Sequence, residues 1–234
     1  TGTSARFKNP KGITTDGTNL YVGDTDNHLI RKIVISTGVV TTLAGSSNGF
    51  ADATGTSAKF YYPRGITTDG TNLYVADTSN YRIRKIVLST GVVTTLAGSG
   101  SSGSTDATIG TAATFKNPRG IIRVGTNLYV VDSDNHKIRK IVISTGVVTT
   151  LAGSSSGFAD GTGTAAKFYN PRGITTDGSY LYVGDVSNHK IRKIVISTGA
   201  VTTLAGSSAG FADATIGTAA KFNDPRGIAI VGAN

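Results

Sequence analysis

The feature that most constrains this chain is an internal repeat of 53 to 55 residues. The repeat is marked by the only five prolines in the sequence: Pro10, Pro63, Pro118, Pro171 and Pro225. Segments 10–45 and 63–98 align without a gap and are identical at 30 of 36 positions. A period of this length is typical of solenoids and propellers, in which each unit covers a face that its neighbour leaves open. We therefore expect four whole repeats, at 1–53, 54–106, 107–161 and 162–214, and the first strand of a fifth, truncated repeat at 215–234.

Each repeat divides into four short strands separated by turns. In the second repeat we expect strands at 65–68, 72–76, 82–88 and 92–97, which are rich in β-branched residues and bounded by Gly, Asn, Asp or Ser. Four antiparallel strands cannot bury both of their own faces, so the units must stack on one another. Radial stacking gives an all-β fold, a β-propeller of four-stranded antiparallel blades. A linear solenoid is the competing arrangement, although its repeats are usually much shorter.

The composition excludes several kinds of chemistry. The chain has no Cys, Met or Trp, and since it also has no Glu, its 14 acidic residues are all aspartates. Disulfides, thiol nucleophiles, cysteine zinc sites and glutamate acid–base catalysts are therefore excluded. A net charge of +9 favours acidic partners. No apolar run approaches the ~18 residues that span a bilayer, so we expect no membrane insertion.

Four short motifs of the first repeat point to a known family. They are Pro-Lys-Gly-Ile at 10–13, Leu-Tyr-Val-Gly-Asp at 20–24, Asn-His-Leu at 27–29 and Val-Thr-Thr-Leu-Ala-Gly at 40–45. The pattern resembles the NHL-repeat family, which is named for the Asn-His-Leu triplet, and the match recurs in all four full repeats. It departs from the family in two ways: Tyr81 replaces the histidine in the second repeat, and leucine follows the Asn-His pair only in the first. The resemblance implies a propeller, commonly of six blades, whose first strands line the axis. Four blades and part of a fifth are too few for such a ring, so we expect this chain to be a segment of a larger or multi-chain propeller. The alternative is that it closes with an unusual number of blades.

One cation follows each marker proline, at the entry to the innermost strand. These residues are Lys11, Arg64, Arg119, Arg172 and Arg226. Closing the ring would bring them towards one mouth of the axial channel, where they would attract phosphate or carboxylate groups. The alternative is that each cation pairs with an aspartate of its own blade or the next. These five residues form the candidate anion site.

The other repeated side chains are expected to be structural. The aspartates that end the second strands should accept backbone N–H bonds and stabilise the following turn, which would make Asp24, Asp77, Asp132 and Asp185 turn residues. The turn histidines should bond to the backbone or a nearby aspartate; they are His28, His136 and His189. We predict no metal site, since the connector acids Asp52, Asp160 and Asp213 supply one carboxylate each.

Aromatic and basic residues outside the candidate site are also expected to have structural roles. Phenylalanines should pin the glycine-rich connectors to the core, both before each proline and in the Gly-Phe-Ala-Asp segments; they are Phe7, Phe60, Phe115, Phe168 and Phe222, with Phe50, Phe158 and Phe211. The basic pairs on the third strands should reach solvent over the blade seams; they are Arg31-Lys32, Arg84-Lys85, Arg139-Lys140 and Arg192-Lys193.

Near-identical repeats argue against an axial active site, because catalysis would require different residues from different blades. We therefore expect no cofactor and no enzymatic activity, and predict an interaction or structural scaffold module that binds a protein partner or associates with itself through open propeller edges. The alternative is a propeller that binds an acidic polymer, RNA or an acidic glycan, through the five cations. A metal-dependent lyase or hydrolase is the third and least favoured class: the resemblance extends to a lyase with an axial metal, but no histidine here departs from the repeat to reach the axis. The Cys-free, Thr/Ser/Gly-rich composition predicts an extracellular or cell-surface protein.

Overall fold

Four antiparallel sheets account for the regular strand structure in the computed structural model, which describes residues 4–231. The first sheet contains β1 (Ile13–Thr15), β2 (Asn19–Asp24), β3 (Leu29–Val34) and β4 (Val40–Ala44). The second contains β5 (Pro63–Thr68), β6 (Asn72–Asp77), β7 (Arg82–Val87) and β8 (Val93–Ala97). The third contains β9 (Pro118–Val124), β10 (Asn127–Asp132), β11 (Lys137–Val142) and β12 (Val148–Ala152). The fourth contains β14 (Pro171–Thr176), β15 (Tyr180–Asp185), β16 (Lys190–Val195) and β17 (Ala200–Ala205), with the short β13 (Gly161–Thr162) at its outer edge.

The sheets are the blades of a propeller, and the first strand of each is innermost. Neighbouring first strands contact one another in the order β1, β5, β9 and β14, and all four line a common central cavity. Straight stacking would not give one shared cavity, so the predicted all-β, blade-like fold is confirmed. The four full repeats are followed by the start of a fifth, whose residues 225–231 have no strand in the structure but lie against β14. The exact repeat boundaries stay a prediction.

Both faces of the second strand of an inner blade are buried, which explains the continuous apolar run in the middle of that strand. On β6, Leu73 and Val75 pack against the first blade, whereas Tyr74 and Ala76 pack against the third. All four are fully buried. Side chains alternate between the faces of a strand, so a central strand whose blade packs against two neighbours needs apolar residues on both faces.

Each connector runs back along the outer edge of the blade that follows it. β13 pairs with β17, and isolated bridges join Thr54 to Val92 and Ala107 to Val148. Each of these three connectors also forms a single 3-10 turn, at Gly55–Ser57, Gly110–Ala112 and Gly163–Ala165, and a fourth lies at Gly217–Ala219. Within residues 4–231 no helix is long and apolar enough to cross a bilayer.

The two sets of connector phenylalanines behave differently. Phe60, Phe115 and Phe168 are fully buried, as the sequence predicts. The prediction was wrong for Phe50 and Phe158, which are about half exposed, and for Phe211, which is 91% exposed. The reason is that Phe50 and Phe158 lie beneath cations at the surface rather than in the core: Arg82 is 3.8 Å from the Phe50 ring centroid and Lys190 is 4.7 Å from that of Phe158.

Candidate anion site

The five cations that follow the marker prolines surround one cavity at the centre of the blades. The cavity has a volume of about 740 Å³, and its wall includes Lys11, Arg64, Arg119, Arg172 and Arg226. In β5, β9 and β14 the cation is the second residue of the innermost strand. The structure therefore places all five candidates together, while their binding of an anion stays a prediction.

The cavity has a charged layer and an apolar layer. Two residues after each cation an isoleucine also lines the wall, and these are Ile13, Ile66, Ile121, Ile174 and Ile228. Residues two apart on a strand face the same side, so the repeated Arg-Gly-Ile sequence produces both layers. The charged end of a ligand would contact the cation layer, because the isoleucine side chains offer no hydrogen-bond donor.

The glycine between the two layers lets neighbouring innermost strands approach closely. A Cβ placed on Gly65 would lie 2.0 Å from the carbonyl oxygen of Arg119, and one on Gly120 would lie 2.3 Å from that of Arg172. No side chain fits at such a distance. The glycines therefore determine how closely the guanidinium groups of adjacent blades can be held.

The arginines of the cavity have few protein partners. Among residues 4–231 no carboxylate lies within ion-pair distance of Arg64, Arg119 or Arg172, and the Nε of each is buried without a hydrogen-bond partner. In the described part of the chain, Arg226 is the one cavity cation with such a neighbour, since its Nη2 lies 3.5 Å from Asp224. The alternative expectation of one aspartate for each cation therefore fails for these three arginines.

Burial and mutual repulsion disfavour the charged form of these arginines. The pKa of Arg119 falls to about 10, first because of burial and then because of the nearby charges of Arg172 and Arg64. Burial also lowers the pKa of Arg64 and Arg172. The residues remain cationic at neutral pH, so the fold holds several partly desolvated positive charges close together with little internal compensation.

A rim of residues with left-handed backbone surrounds the charged layer. The residue before each marker proline has φ between 50° and 54°; these residues are Asn9, Tyr62, Asn117, Asn170 and Asp224. Asn9 lines the cavity itself. Its side-chain amide donates to Asp26, and that of Asn117 donates to Asp134. This rim was not predicted from the sequence, although Asn or Asp precedes four of the five prolines.

The turn histidines connect neighbouring blades. His28, His136 and His189 all have left-handed backbone, and each Nδ1 accepts the backbone N–H of a rim residue on the following repeat. The distances are 3.3 Å from Tyr62, 3.2 Å from Asn170 and 3.3 Å from Asp224. The predicted backbone bond is therefore present. An accepting Nδ1 requires a neutral ring whose single proton is on Nε2.

We expect this histidine arrangement to make folding sensitive to acid. Burial lowers the pKa of His28 and His136 below the ordinary value of 6.5. The unfolded chain then binds more protons than the folded one, so the free energy of unfolding should fall as pH drops from 7 through about 6. The His28→Tyr/His136→Tyr variant, which copies the natural Tyr81, should lose that part of the slope in urea unfolding at several pH values.

Comparing the unaltered protein with the His28→Tyr/His136→Tyr variant isolates the contribution of the two histidines to the pH dependence of the free energy of unfolding. Burial raises the pKa of Asp77 to about 6, despite the opposing effect of Arg84, and this acts on stability with the opposite sign. Asp77 is present in both proteins, so its contribution cancels in the difference. Equal pH slopes in the two proteins would contradict the prediction.

The third-strand arginines are not solvent-reaching stems, which corrects the expectation from sequence. Arg84, Arg139 and Arg192 are fully buried. Arg139 forms ion pairs with Asp132 at 2.8 Å and with the connector residue Asp106 at 2.6 Å. The connector of each inner blade folds back over its third strand, and this contact, which covers the guanidinium, cannot be seen from strand alternation alone.

The aspartates that end the second strands bind both a turn and a buried cation. Oδ1 of Asp77 accepts the backbone N–H of Tyr61 at 2.8 Å, while Oδ2 accepts from Asn80 at 2.9 Å and Arg84 at 2.8 Å. The predicted backbone and turn contacts are therefore present. The connector acid Asp52 is likewise bound to Arg84 and Thr95. Within residues 4–231 no group of three His or Asp side chains could hold a metal ion.

Comparisons with known proteins agree with the repeat and the fold. No protein-family model matches the chain. The NHL repeat-containing protein 2 of Gallus gallus is 30% identical over 97% of this chain and 36% of its own length. The chain thus spans about a third or less of the curated relatives it matches.

Two solved structures share the architecture at lower identity. An auxiliary nutrient binding protein from Bacteroides ovatus is 22% identical with a TM-score of 0.63, over 85% of this chain and 49% of that one. The virginiamycin B lyase of Staphylococcus aureus is 15% identical with a TM-score of 0.56, over 83% of this chain and 55% of that one. At these identities the likeness shows the fold alone. Taken with its Asn-His turns and four-stranded blades, the similarity to the curated relatives shows that the chain belongs to the NHL-repeat family.

Proposed function

We propose that this NHL-repeat chain is a non-catalytic binding module that takes an anionic group into its central cavity. The observation that carries the proposal is that three arginines, Arg64, Arg119 and Arg172, line one cavity with no carboxylate within ion-pair distance among residues 4–231. Their Nε atoms are also buried without a hydrogen-bond partner in that part of the chain. Buried donors are normally bonded, and a buried charge is normally paired. An anion would supply both the hydrogen bonds and the missing charge.

The chemistry of the wall suits phosphate and carboxylate groups. A guanidinium presents planar N–H donors that match two oxygens of such a group at once. Several blades present an equivalent cation to one space, so one anion can contact guanidinium groups from neighbouring blades. The Bacteroides ovatus relative in fold is described as a nutrient binding protein, and binding of a small solute is consistent with the proposal.

The repeats also favour binding over catalysis. An acid–base or nucleophilic mechanism requires groups with distinct roles at the reacting atoms. The cavity wall instead repeats a cation, a glycine and an isoleucine from blade to blade. We therefore propose that the cavity holds its anion without transforming it.

Calorimetric titration with pyrophosphate at about 50 mM salt tests the proposal, since electrostatic affinity falls as salt rises. We expect Arg119→Met to weaken binding by at least about tenfold, the loss typical of a charged hydrogen bond. Arg123→Met is the matched control, because Arg123 lies on the same strand and is exposed, but is not part of the cavity wall. It should change the affinity by less than about twofold.

The thermal stability of the free Arg119→Met protein provides a second readout. A structural arginine would leave the protein destabilised when removed. Arg119 is half-buried among other cations, so its loss should leave the melting temperature unchanged or raised. No pyrophosphate binding by the unaltered protein, or equal binding by Arg119→Met, would contradict the proposed function.

A further inference from the structure

We infer that the cavity selects compact anions with several charges and disfavours anionic polymers that would lie across its mouth. This inference rests on the proposed function. The feature behind it is a set of carboxylates that are bonded to rim residues or belong to the rim, which precedes the cation layer along the chain in each repeat. They belong to Asp26, Asp134 and Asp224, on the first blade, the third blade and the start of the fifth repeat.

The rim carboxylates are fixed next to cavity residues. Asp26 accepts the side-chain amide of Asn9 at 3.4 Å, and Asn9 is part of the cavity wall. Asp134 accepts the equivalent amide of Asn117, one residue before the marker proline of its blade. Asp224 precedes Pro225 and lies 3.5 Å from Arg226.

Two of these carboxylates, those of Asp26 and Asp134, act on the arginines of the cation layer without forming ion pairs with them among residues 4–231. Asp26 and Asp134 oppose the fall in the pKa of Arg64, and Asp134 does the same for Arg119. Neither carboxylate comes within ion-pair distance of these arginines in the described part of the chain. The arginines therefore stay available to an incoming ligand, while negative charges stand at the entrance.

The arrangement treats compact and extended anions differently. A small anion can pass the rim and bring all its charge among the guanidinium groups. A polymer can place only one or two of its charges in the cavity, and its neighbouring phosphate or sulfate groups then lie near the carboxylates. Close like charges at an interface are strongly unfavourable, which is a common way to exclude a competing ligand.

The size of the cavity fits the same ligand class. Small-molecule sites have volumes of roughly 300 to 1,000 Å³, and this cavity has about 740 Å³. A diphosphate, a phosphorylated small molecule or a small polycarboxylate would fit within it. Its charges would meet the arginines, and the remainder could contact the isoleucine layer.

The chain itself suggests a conservative way to remove the rim charges. Ser79 and Ser187 occupy, in the second and fourth blades, the turn position that Asp26 and Asp134 occupy in the first and third. The Asp26→Ser/Asp134→Ser variant should therefore fold. Asp213→Asn is a control for loss of an acidic charge elsewhere, because Asp213 is exposed on a connector.

The test compares pyrophosphate with a single-stranded oligothymidylate of about 20 nucleotides, both at about 50 mM salt. The unaltered protein should bind pyrophosphate at least about tenfold more tightly. In the Asp26→Ser/Asp134→Ser variant the preference should shrink by at least about fivefold, since the carboxylates repel the polymer more. Asp213→Asn should leave the preference unchanged.

The outcomes separate this inference from the function on which it rests. If the unaltered protein binds no pyrophosphate, the proposed function itself fails. If pyrophosphate binds through Arg119 but the oligonucleotide binds as tightly, the selectivity is overturned and the polymer-binding alternative gains support. An unchanged preference in the Asp26→Ser/Asp134→Ser variant would also overturn the role assigned to the rim.

Discussion

Replacing Arg139 with methionine is expected to destabilise the protein by about 4 kcal/mol, the cost of breaking a buried ion pair from one side. Arg139 is fully buried, and all its N–H groups are bonded to Asp132, Asp106, Thr105 and Thr114. Methionine fills much of the space but leaves the buried carboxylate of Asp132 without its cation. Denaturant unfolding of the two proteins measures the difference.

The first blade supplies a matched control for this prediction. Within residues 4–231 Arg31 has one carboxylate partner, Asp24 at 3.1 Å, and its side chain is 14% exposed. Arg31→Met should therefore cost only about half as much, since water reaches this pair and fewer bonds are lost. Equal costs at the two sites would show that the connector aspartate Asp106 contributes nothing to the buried network.

The second large effect is expected from Gly65→Ala, which should destabilise the protein by about 3 kcal/mol through overpacking. The added Cβ would lie 2.0 Å from the carbonyl oxygen of Arg119, so the first strands of two blades must separate. Backbone atoms cannot move aside as a flexible side chain can. Thermal or denaturant unfolding should show the loss.

Gly227→Ala is the control for the glycine substitution. Gly227 follows Arg226 in the same Pro-Arg-Gly motif, but a Cβ at this position would meet nothing within 4 Å. Its change to alanine should alter stability by less than about 0.5 kcal/mol. If Gly65→Ala and Gly227→Ala behave alike, the close approach of the strands is not what requires glycine.

Some of the candidate site could be read from the sequence because it obeys the repeat. The marker prolines align one cation per blade, and a ring of blades must place equivalent positions around one centre. The rim carboxylates were harder to predict, because Asp26 and Asp134 alternate with Ser79 and Ser187 rather than recurring in every repeat. Their nearness to the cations depends on how turns of different blades meet.

The sequence contains a recurring spacing that indicates the buried ion pairs, although the third-strand arginines were expected to reach solvent. An aspartate precedes each of Arg84, Arg139 and Arg192 by 32 or 33 residues. The aspartate persists at Asp106 even where the connector lacks the accompanying phenylalanine. The recurring requirement was therefore for the carboxylate, which pairs with the following blade, rather than for the aromatic ring.

The repeat length, the β-branched strands and the turn residues are local properties, and by themselves they determined four-stranded blades that must stack. The tertiary structure decided which charges are neutralised. The third-strand arginines form ion pairs with connector aspartates because a connector folds back over them. Among residues 4–231, Arg64, Arg119 and Arg172 instead lie near other cations, and the carboxylates near them are beyond ion-pair distance. Sequence period determines which residues are equivalent, but the free energy of a charge depends on the groups and solvent around it in space.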